Sequence, residues 1–282
     1  MTAESPPTDL EATRSKAGHP RANSLGGSAW TRNSISIWSD IRRTPEETAL
    51  KHPAMFPQAL PARLIECLIP PGPATVLDPF AGVGSTPLAA YLSGRHGIGI
   101  ELSPEFAGIA ESRLRSLIPE EVAPGGSFRI VLGDASRLEN VVPQGSVDLC
   151  ITSPPYWDIL TRKRSADGKE TRHYGDEEAD LGRIESYEEF LNSLGDVFQQ
   201  VFCSLRPGGY CCVVVMDIRK GSRFYPFHSD VAARLEACGL VYDDLVIWDR
   251  RQEYNNLRPL GYPFVFRVNK VHEFIIITRK PR

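Results

Sequence analysis

Thr75-Val76-Leu77-Asp78-Pro79-Phe80-Ala81-Gly82-Val83-Gly84-Ser85-Thr86 is the stretch whose reading decides the fold. An apolar run ends in an acid, turns through Gly-x-Gly and reaches two hydroxyl residues suited to capping a helix. Pro87 follows near the first helical position, where its missing N–H costs nothing. A strand, a tight glycine loop and a helix N-terminus form the geometry that holds nucleotide-like ligands. Pro87 stands where the dinucleotide fingerprint needs its third glycine, and no Gly-Lys-Ser/Thr follows, so neither that fingerprint nor a P-loop is present. A helix is predicted over 88–93, closed by Gly94. A second strand, His96-Gly97-Ile98-Gly99-Ile100, then delivers Glu101, at the spacing where an acid holds a pair of ribose hydroxyls.

Further along, Phe128–Leu132 reads as a third strand, with Gly133-Asp134-Ala135 at its carboxyl end, where an open α/β sheet places ligand contacts. The plainer reading of Asp134 is a turn or helix cap ahead of 136–138. A fourth apolar run, Val147-Asp148-Leu149-Cys150-Ile151, enters Thr152-Ser153-Pro154-Pro155-Tyr156-Trp157. Each proline fixes φ and lacks an N–H, so the carbonyls there point where no ladder competes for them. A serine hydroxyl, a free carbonyl and a tyrosine face make a seat for a flat heterocycle carrying an exocyclic amine. Taken alone, the turn is equally a Pro-rich passage from strand to loop.

Taken together, Asp78-Pro79-Phe80-x-Gly82-x-Gly84-Ser85-Thr86 and Ser153-Pro154-Pro155-Tyr156 resemble the S-adenosylmethionine-dependent DNA amino-methyltransferases, which modify N4 of cytosine or N6 of adenine. Lys51-His52-Pro53-Ala54-Met55-Phe56-Pro57-x-x-Leu60 is similar to the segment that closes over the cofactor's methionine end in that family. The similarity spans 51–280. It implies S-adenosyl-L-methionine as cofactor, contacted by His52, Pro53, Phe56, Asp78, Pro79, Phe80, Ala81, Gly82, Gly84, Ser85, Thr86, Glu101 and Leu102. Asp134, bonding the adenine amine, and Ala135 complete the set. It implies Ser153, Pro154, Pro155 and Tyr156 as the catalytic turn, with a flipped DNA base stacked on Tyr156. Ser153 stands where adenine-directed relatives more often carry Asp or Asn, which points to N4 of cytosine; N6 of adenine is the alternative. RNA or protein-amide methylation, or a catalytically silent subunit, are further readings. The resemblance argues against methylation at C5 of cytosine, since the family doing that chemistry places a cysteine after a proline and no cysteine here follows one.

The chain of 282 residues has room for one α/β domain, expected over 31–282, behind a Pro/Ser/Gly-rich tail over 1–30 that reads as disordered. Alternating strands and helices, including a helix opened by Ser186 and a buried strand over 210–216, predict a mostly parallel sheet with helices on both faces. The resemblance specifies a Rossmann-like class I methyltransferase sheet of seven strands, mixed because the last is antiparallel. A net charge of −3 and a pI near 6.1 argue against a generally basic surface, so DNA contact is expected from local loops over 158–182 and 250–258. The first of these, with Arg162, Lys163 and Arg164, is as well read as a flexible surface loop. Arg42 and Arg43 are expected to be solvated. Six cysteines without a C-x-x-C read as free thiols in a reducing cytosol, and six scattered histidines offer no metal cluster. With no signal peptide and no membrane-length apolar run, the expected location is cytoplasmic, at the nucleoid through DNA, with a cognate restriction nuclease as a possible partner.

Overall fold

In the computed structural model, which describes residues 21–50, 55–116, 125–159, 180–254 and 257–282, order begins ahead of the boundary drawn from composition. Residues 21–30 were expected in the tail. Instead Gly27–Asn33 form α1, and the Asn23 side chain donates to the Cys67 carbonyl at 2.7 Å. Ile37–Trp38 (β1) and Pro45–Ala49 (α2) follow, the latter started by a reciprocal capping box between Thr44 and Glu47. Ala59–Leu68 (α3) buries Leu60, Leu64 and Ile65, which recur at helical spacing.

Thr75–Asp78 (β2), Ser85–Leu92 (α4), His96–Glu101 (β3), Pro104–Ser116 (α5), Ser127–Leu132 (β4) and Val147–Thr152 (β5) then alternate as predicted. Tyr187–Ser204 (α6) opens at Ser186, whose hydroxyl accepts from the Glu189 N–H at 3.3 Å. Leu205–Val215 (β6) precedes a separate hairpin of Ile218–Lys220 (β7) and Arg223–Tyr225 (β8). Phe227–Ala237 (α7), Val241–Asp249 (β9) and His272–Arg279 (β10) complete the chain.

The main sheet has the order β1-β9-β10-β6-β5-β2-β3-β4. Only β10 runs against its neighbours β6 and β9; every other pair in this sheet is parallel. This is the Rossmann-like arrangement, with eight strands where seven were expected. The added strand is β1, whose Ile37 and Trp38 pair with Ile247 and Trp248. Trp38 is buried there, and the Trp248 indole N–H donates to the Ile41 carbonyl at 3.2 Å, so two tryptophans anchor the extra edge.

Side-chain alternation sorts the core into two layers. Cys150, Val213 and Val215 face α6 and α7 with Phe190, Phe198 and Phe227. Leu149, Ile151, Cys212 and Val214 face α3 with Leu60, Leu64 and Trp248. From β2 the chain crosses to β3 on one side, while β5 lies on the other, so the loops leaving β2 and β5 diverge and a crevice opens between them.

α4 can approach β3 closely because Gly97 has no side chain: a β-carbon there would sit 2.7 Å from the Pro87 backbone. Gly97→Ala should therefore lower stability by about 1–3 kcal/mol, the usual range for overpacking. Gly108→Ala, on the open face of α5 with nothing within 4 Å, should raise it by about 0.5–1 kcal/mol. Urea denaturation of both variants checks the pair, and equal effects would contradict the packing argument.

Candidate active site

The glycine loop after β2 owes its shape to Gly82 and Gly84, at φ 53° and 80° in the left-handed region that side chains disfavour. A β-carbon on Gly84 would also lie 2.8 Å from Leu114 Cδ1. Gly84 is the residue that caps α4, so neither Ser85 nor Thr86 serves as the cap expected of them. Their hydroxyls are used elsewhere. Ser85 donates to the Phe56 carbonyl at 2.9 Å, and Thr86 donates to the Ile151 carbonyl at 3.2 Å. The start of α4 is thereby fastened to the 55–57 segment on one side and to β5 on the other.

Three acids mark the carboxyl ends of adjacent strands. Asp78 Oδ1 accepts from the Thr152 hydroxyl at 2.6 Å and the Phe80 N–H at 3.0 Å, and burial pushes this carboxyl up to about 6. Glu101 accepts from the Gly82 N–H at 2.7 Å through one oxygen and from the Ser103 N–H at 2.8 Å through the other. Burial raises its pKa too, against the Ser103, Gly82 and Leu102 N–H groups that work to lower it. Asp134 accepts from the Ser136 N–H at 2.8 Å and from its hydroxyl at 2.7 Å, which is the helix cap of the plainer reading.

A cleft opens over these acids. Phe56, Asp78, Pro79, Phe80, Ala81, Gly82, Ser85, Glu101, Leu102, Asp134 and Ala135 line it, and so do Ser153 and Pro155 from the turn after β5. Gly84, Thr86, Pro154 and Tyr156 are not in the lining, while His52 and Pro53 lie outside the described residues. Met55, Val83, Gly133, Asp180, Leu181 and Val197 line the cleft without having been anticipated. The first three adjoin motif residues and were within reach of the sequence. Asp180 and Leu181 return to the cleft at the far end of the long loop, where no motif marks them.

Tyr156 departs from its expected place. Its ring is 8% exposed and stands perpendicular to Phe227, with centroids 6.1 Å apart, so its face is not open to a base in this structure. The hydroxyl donates to Glu273 at 2.9 Å and lies 3.5 Å from the Ser153 hydroxyl. Burial, then the Glu273 charge, hold the phenol in its protonated form. Trp157 sits at φ 48°, unusual for a bulky residue. It is pinned by an indole N–H bond to the Ile184 carbonyl at 2.8 Å and by the Lys220 ammonium 3.6 Å from the ring centre.

The expected DNA loops are also revised. Residues 160–179 of the first lie outside the described residues, and its described ends fold inward, with Asp158 and Asp180 both buried. In the second, Arg250 is tucked behind the turn in ion pairs with Glu273 and with Glu253, the latter at 2.6 Å. Burial works to lower its pKa, yet Glu273 and Glu253 hold it above the ordinary value. Arg43 is not a solvated charge: it donates to the Met55 carbonyl, and burial, then Arg250, lower its pKa.

Among the described residues no group of three potential ligands could hold a metal ion, and no helix is long and apolar enough to cross a membrane. The described cleft lining contains no thiol. It offers acids at the ends of β3 and β4 with apolar walls between them, a set that fits an adenosyl group.

The sequence pattern of the N6/N4 DNA methylase family matches residues 5–112 and 147–282. Among curated relatives, the type II methyltransferase M.ScaI of Streptomyces caespitosus is 35% identical over 107 residues, covering 36% of this chain and 33% of that protein. M.MjaI of Methanocaldococcus jannaschii, another type II methyltransferase, is 28% identical over 175 residues, covering 55% and 56%. The chain thus spans well under two thirds of either relative. A Thermus thermophilus protein assigned as a DNA modification methylase is 30% identical across 53% of this chain and 51% of that one, with a TM-score of 0.38. The same protein solved with S-adenosyl-L-methionine matches at 29% identity over 53% and 54%, TM-score 0.38.

The raised Asp78 pKa has a sign that can be tested. A carboxyl that holds its proton more tightly when folded loses stability as pH rises from about 4 to about 6, and none further above that. Asp78→Asn keeps an acceptor for Thr152 and Phe80 but has no charge to bury. The variant should gain on the parent between pH 4.5 and pH 7.5, on the order of 1–3 kcal/mol in urea unfolding. A difference independent of pH would contradict the assignment.

Proposed function

Because the chain belongs to the N6/N4 DNA methylase family, we propose that it moves the methyl group of S-adenosylmethionine to the exocyclic N4 of cytosine in a base flipped out of duplex DNA. The observation that carries this reading is the meeting of Ser153 and Pro155 with the 78–82 loop, Glu101 and Asp134 in one cleft. An amine inside a duplex cannot reach such a cleft, so the base must leave the stack.

S-adenosylmethionine supplies an electrophilic methyl group carried on a positively charged sulfur. On the protein side, the Glu101 carboxylate, which lines the cleft, suits a ribose hydroxyl pair, and Asp134 suits the adenine amine. Phe56, Phe80 and Leu102 supply apolar walls. The Ser153 hydroxyl and the Pro154 carbonyl would accept hydrogen bonds from the target amine, drawing its lone pair out of conjugation and aiming it at the donor. These are preorganised dipoles and positioning rather than covalent chemistry. Tyr156, anchored on Glu273, would keep the turn in shape behind them.

The choice of cytosine rests on the resemblance, in which adenine-directed relatives more often carry Asp or Asn at the place of Ser153. A hydroxyl there can donate to the ring nitrogen N3 or accept from the amine, whereas a carboxylate only accepts. Adenine offers the same arrangement at N6 and N1 and is the second reading. Likeness to type II methyltransferases extends the proposal to a cognate restriction nuclease and to cytoplasmic, nucleoid-associated DNA as the place of action.

Nucleoside analysis of DNA treated with the pure protein and cofactor should yield N4-methylcytosine. N6-methyladenine instead would overturn the choice of base, and unmethylated DNA would overturn the reading. Glu101→Gln should weaken cofactor binding about tenfold by calorimetry, roughly one hydrogen bond to a charged group. Glu101→Ala should in addition lower stability, because it leaves the Gly82 and Ser103 N–H groups without their acceptor. Unchanged affinity in Glu101→Gln would remove Glu101 from the cofactor site.

A further inference from the structure

Beyond the cleft, two segments bring cations and aromatic rings onto one surface. The β7–β8 hairpin carries Arg219, Lys220 and Arg223, and the 257–271 segment carries Arg258, Arg267 and Lys270; neither contains Asp or Glu. They do so in a chain whose net charge is −3. The segments touch. Arg267 donates to the Gly221 carbonyl at 3.1 Å, and Arg219 and Lys270 lie 5.3 and 5.5 Å from the centre of the Phe224 ring. Burial, then the Arg219 charge, lower the Lys270 pKa, as expected of crowded cations. Asp217, just before the hairpin, is engaged by His228 at 2.7 Å.

On the same segment Tyr262, Phe264 and Phe266 are 77%, 91% and 93% exposed. Rings so bare, clustered within five residues, mark an interaction surface rather than ordinary surface scatter. Protein–protein interfaces favour arginines and rings as well, but here six cations, two of them lysines, stand with no carboxylate in either segment, a single-sign surface that suits a polyanion. Cations that track phosphates, interleaved with rings that accept the face of any base, are the composition that grips nucleic acid. The surface is joined to the candidate active site. Lys220 pairs with Asp158 at 2.7 Å and covers Trp157, the residue that ends the Ser153–Trp157 turn.

Building on the DNA-methylation reading, we propose that the hairpin and the 257–271 segment form a DNA-gripping surface. Arg219, Arg223 and Arg258 contact phosphates, and Phe264 and Phe266 stack on bases beside the extruded nucleotide. An extruded base leaves a gap in the duplex, and apolar side chains that enter such a gap offset the cost of unstacking. The surface therefore contributes affinity and duplex distortion with little choice of sequence.

The test uses the full chain with R219A/R223A/R258A and F264A/F266A, all at exposed positions. Cofactor affinity by calorimetry should match the parent in both, showing that the fold is intact. In anisotropy titrations with a mixed-sequence duplex, the arginine variant should flatten the slope of log K against log salt by about 2–3, near one unit per phosphate contact. The phenylalanine variant should bind about tenfold more weakly with its slope unchanged. Parental affinity and slope in both variants would overturn the proposal. So would a phenylalanine variant that binds DNA normally but turns a dimer into a monomer in light scattering, which would make the surface a subunit interface. In either case DNA methylation by the parent chain would show that the functional reading stands, while a parent that methylates no DNA would sink both.

Discussion

Between the carboxyl ends of β2 and β5, the Thr152 hydroxyl donates to Asp78 at 2.6 Å, in a place from which water is excluded. The two strands are already neighbours, paired at Val76 with Leu149 and at Leu77 with Cys150. Past that pairing they separate, one into the glycine loop and the other into the Ser153–Trp157 turn. A buried carboxyl without partners would be costly, and the Thr152 hydroxyl and Phe80 N–H are what make it tolerable. Thr86 reinforces the same joint, reaching from α4 to the Ile151 carbonyl. Both loops therefore leave a common base, and the cleft between them is a consequence of that joint.

The direction of β10 matters as much. A parallel strand presents its last residues at the carboxyl edge of the sheet, but an antiparallel one presents its first. His272 accordingly pairs with Asp249 at the end of β9, and Glu273, the next residue, arrives behind the turn that follows β5. There it accepts the buried Tyr156 hydroxyl and the half-buried Arg250 guanidinium. Such a network is stabilising only while every member is satisfied, which ties the shape of the turn to the last strand of the chain.

The elements around the glycine loop were legible because their signals are local: apolar runs, paired glycines, and prolines that fix φ. What was not legible depends on distant partners. β1 is too short to show periodicity and exists because Trp38 and Trp248 find each other across the chain. Pro207-Gly208-Gly209 follows the end of α6 and sits inside β6, where Gly208 N–H donates to the Lys280 carbonyl and Lys280 N–H to the Gly209 carbonyl, each at 2.9 Å. The β7–β8 hairpin over 218–225 carries no motif that marks it in the sequence. Tyr156 after two prolines suggests a stacking platform, but its partners Phe227 and Glu273 lie far along the chain. Arg250 reads as a DNA contact for the same reason, since nothing nearby in sequence reveals the carboxylate waiting for it at Glu273.

The central claim is that two loops sharing the Asp78–Thr152 joint assemble one site for a methyl donor and a nucleic-acid amine. Incubating the protein with S-adenosylmethionine labelled in its methyl group, and with DNA, RNA and protein as acceptors side by side, tests it most directly. The account predicts label in DNA alone, lost when Ser153 is replaced by alanine. Label in RNA or protein but not in DNA, or DNA labelling indifferent to Ser153, would contradict it.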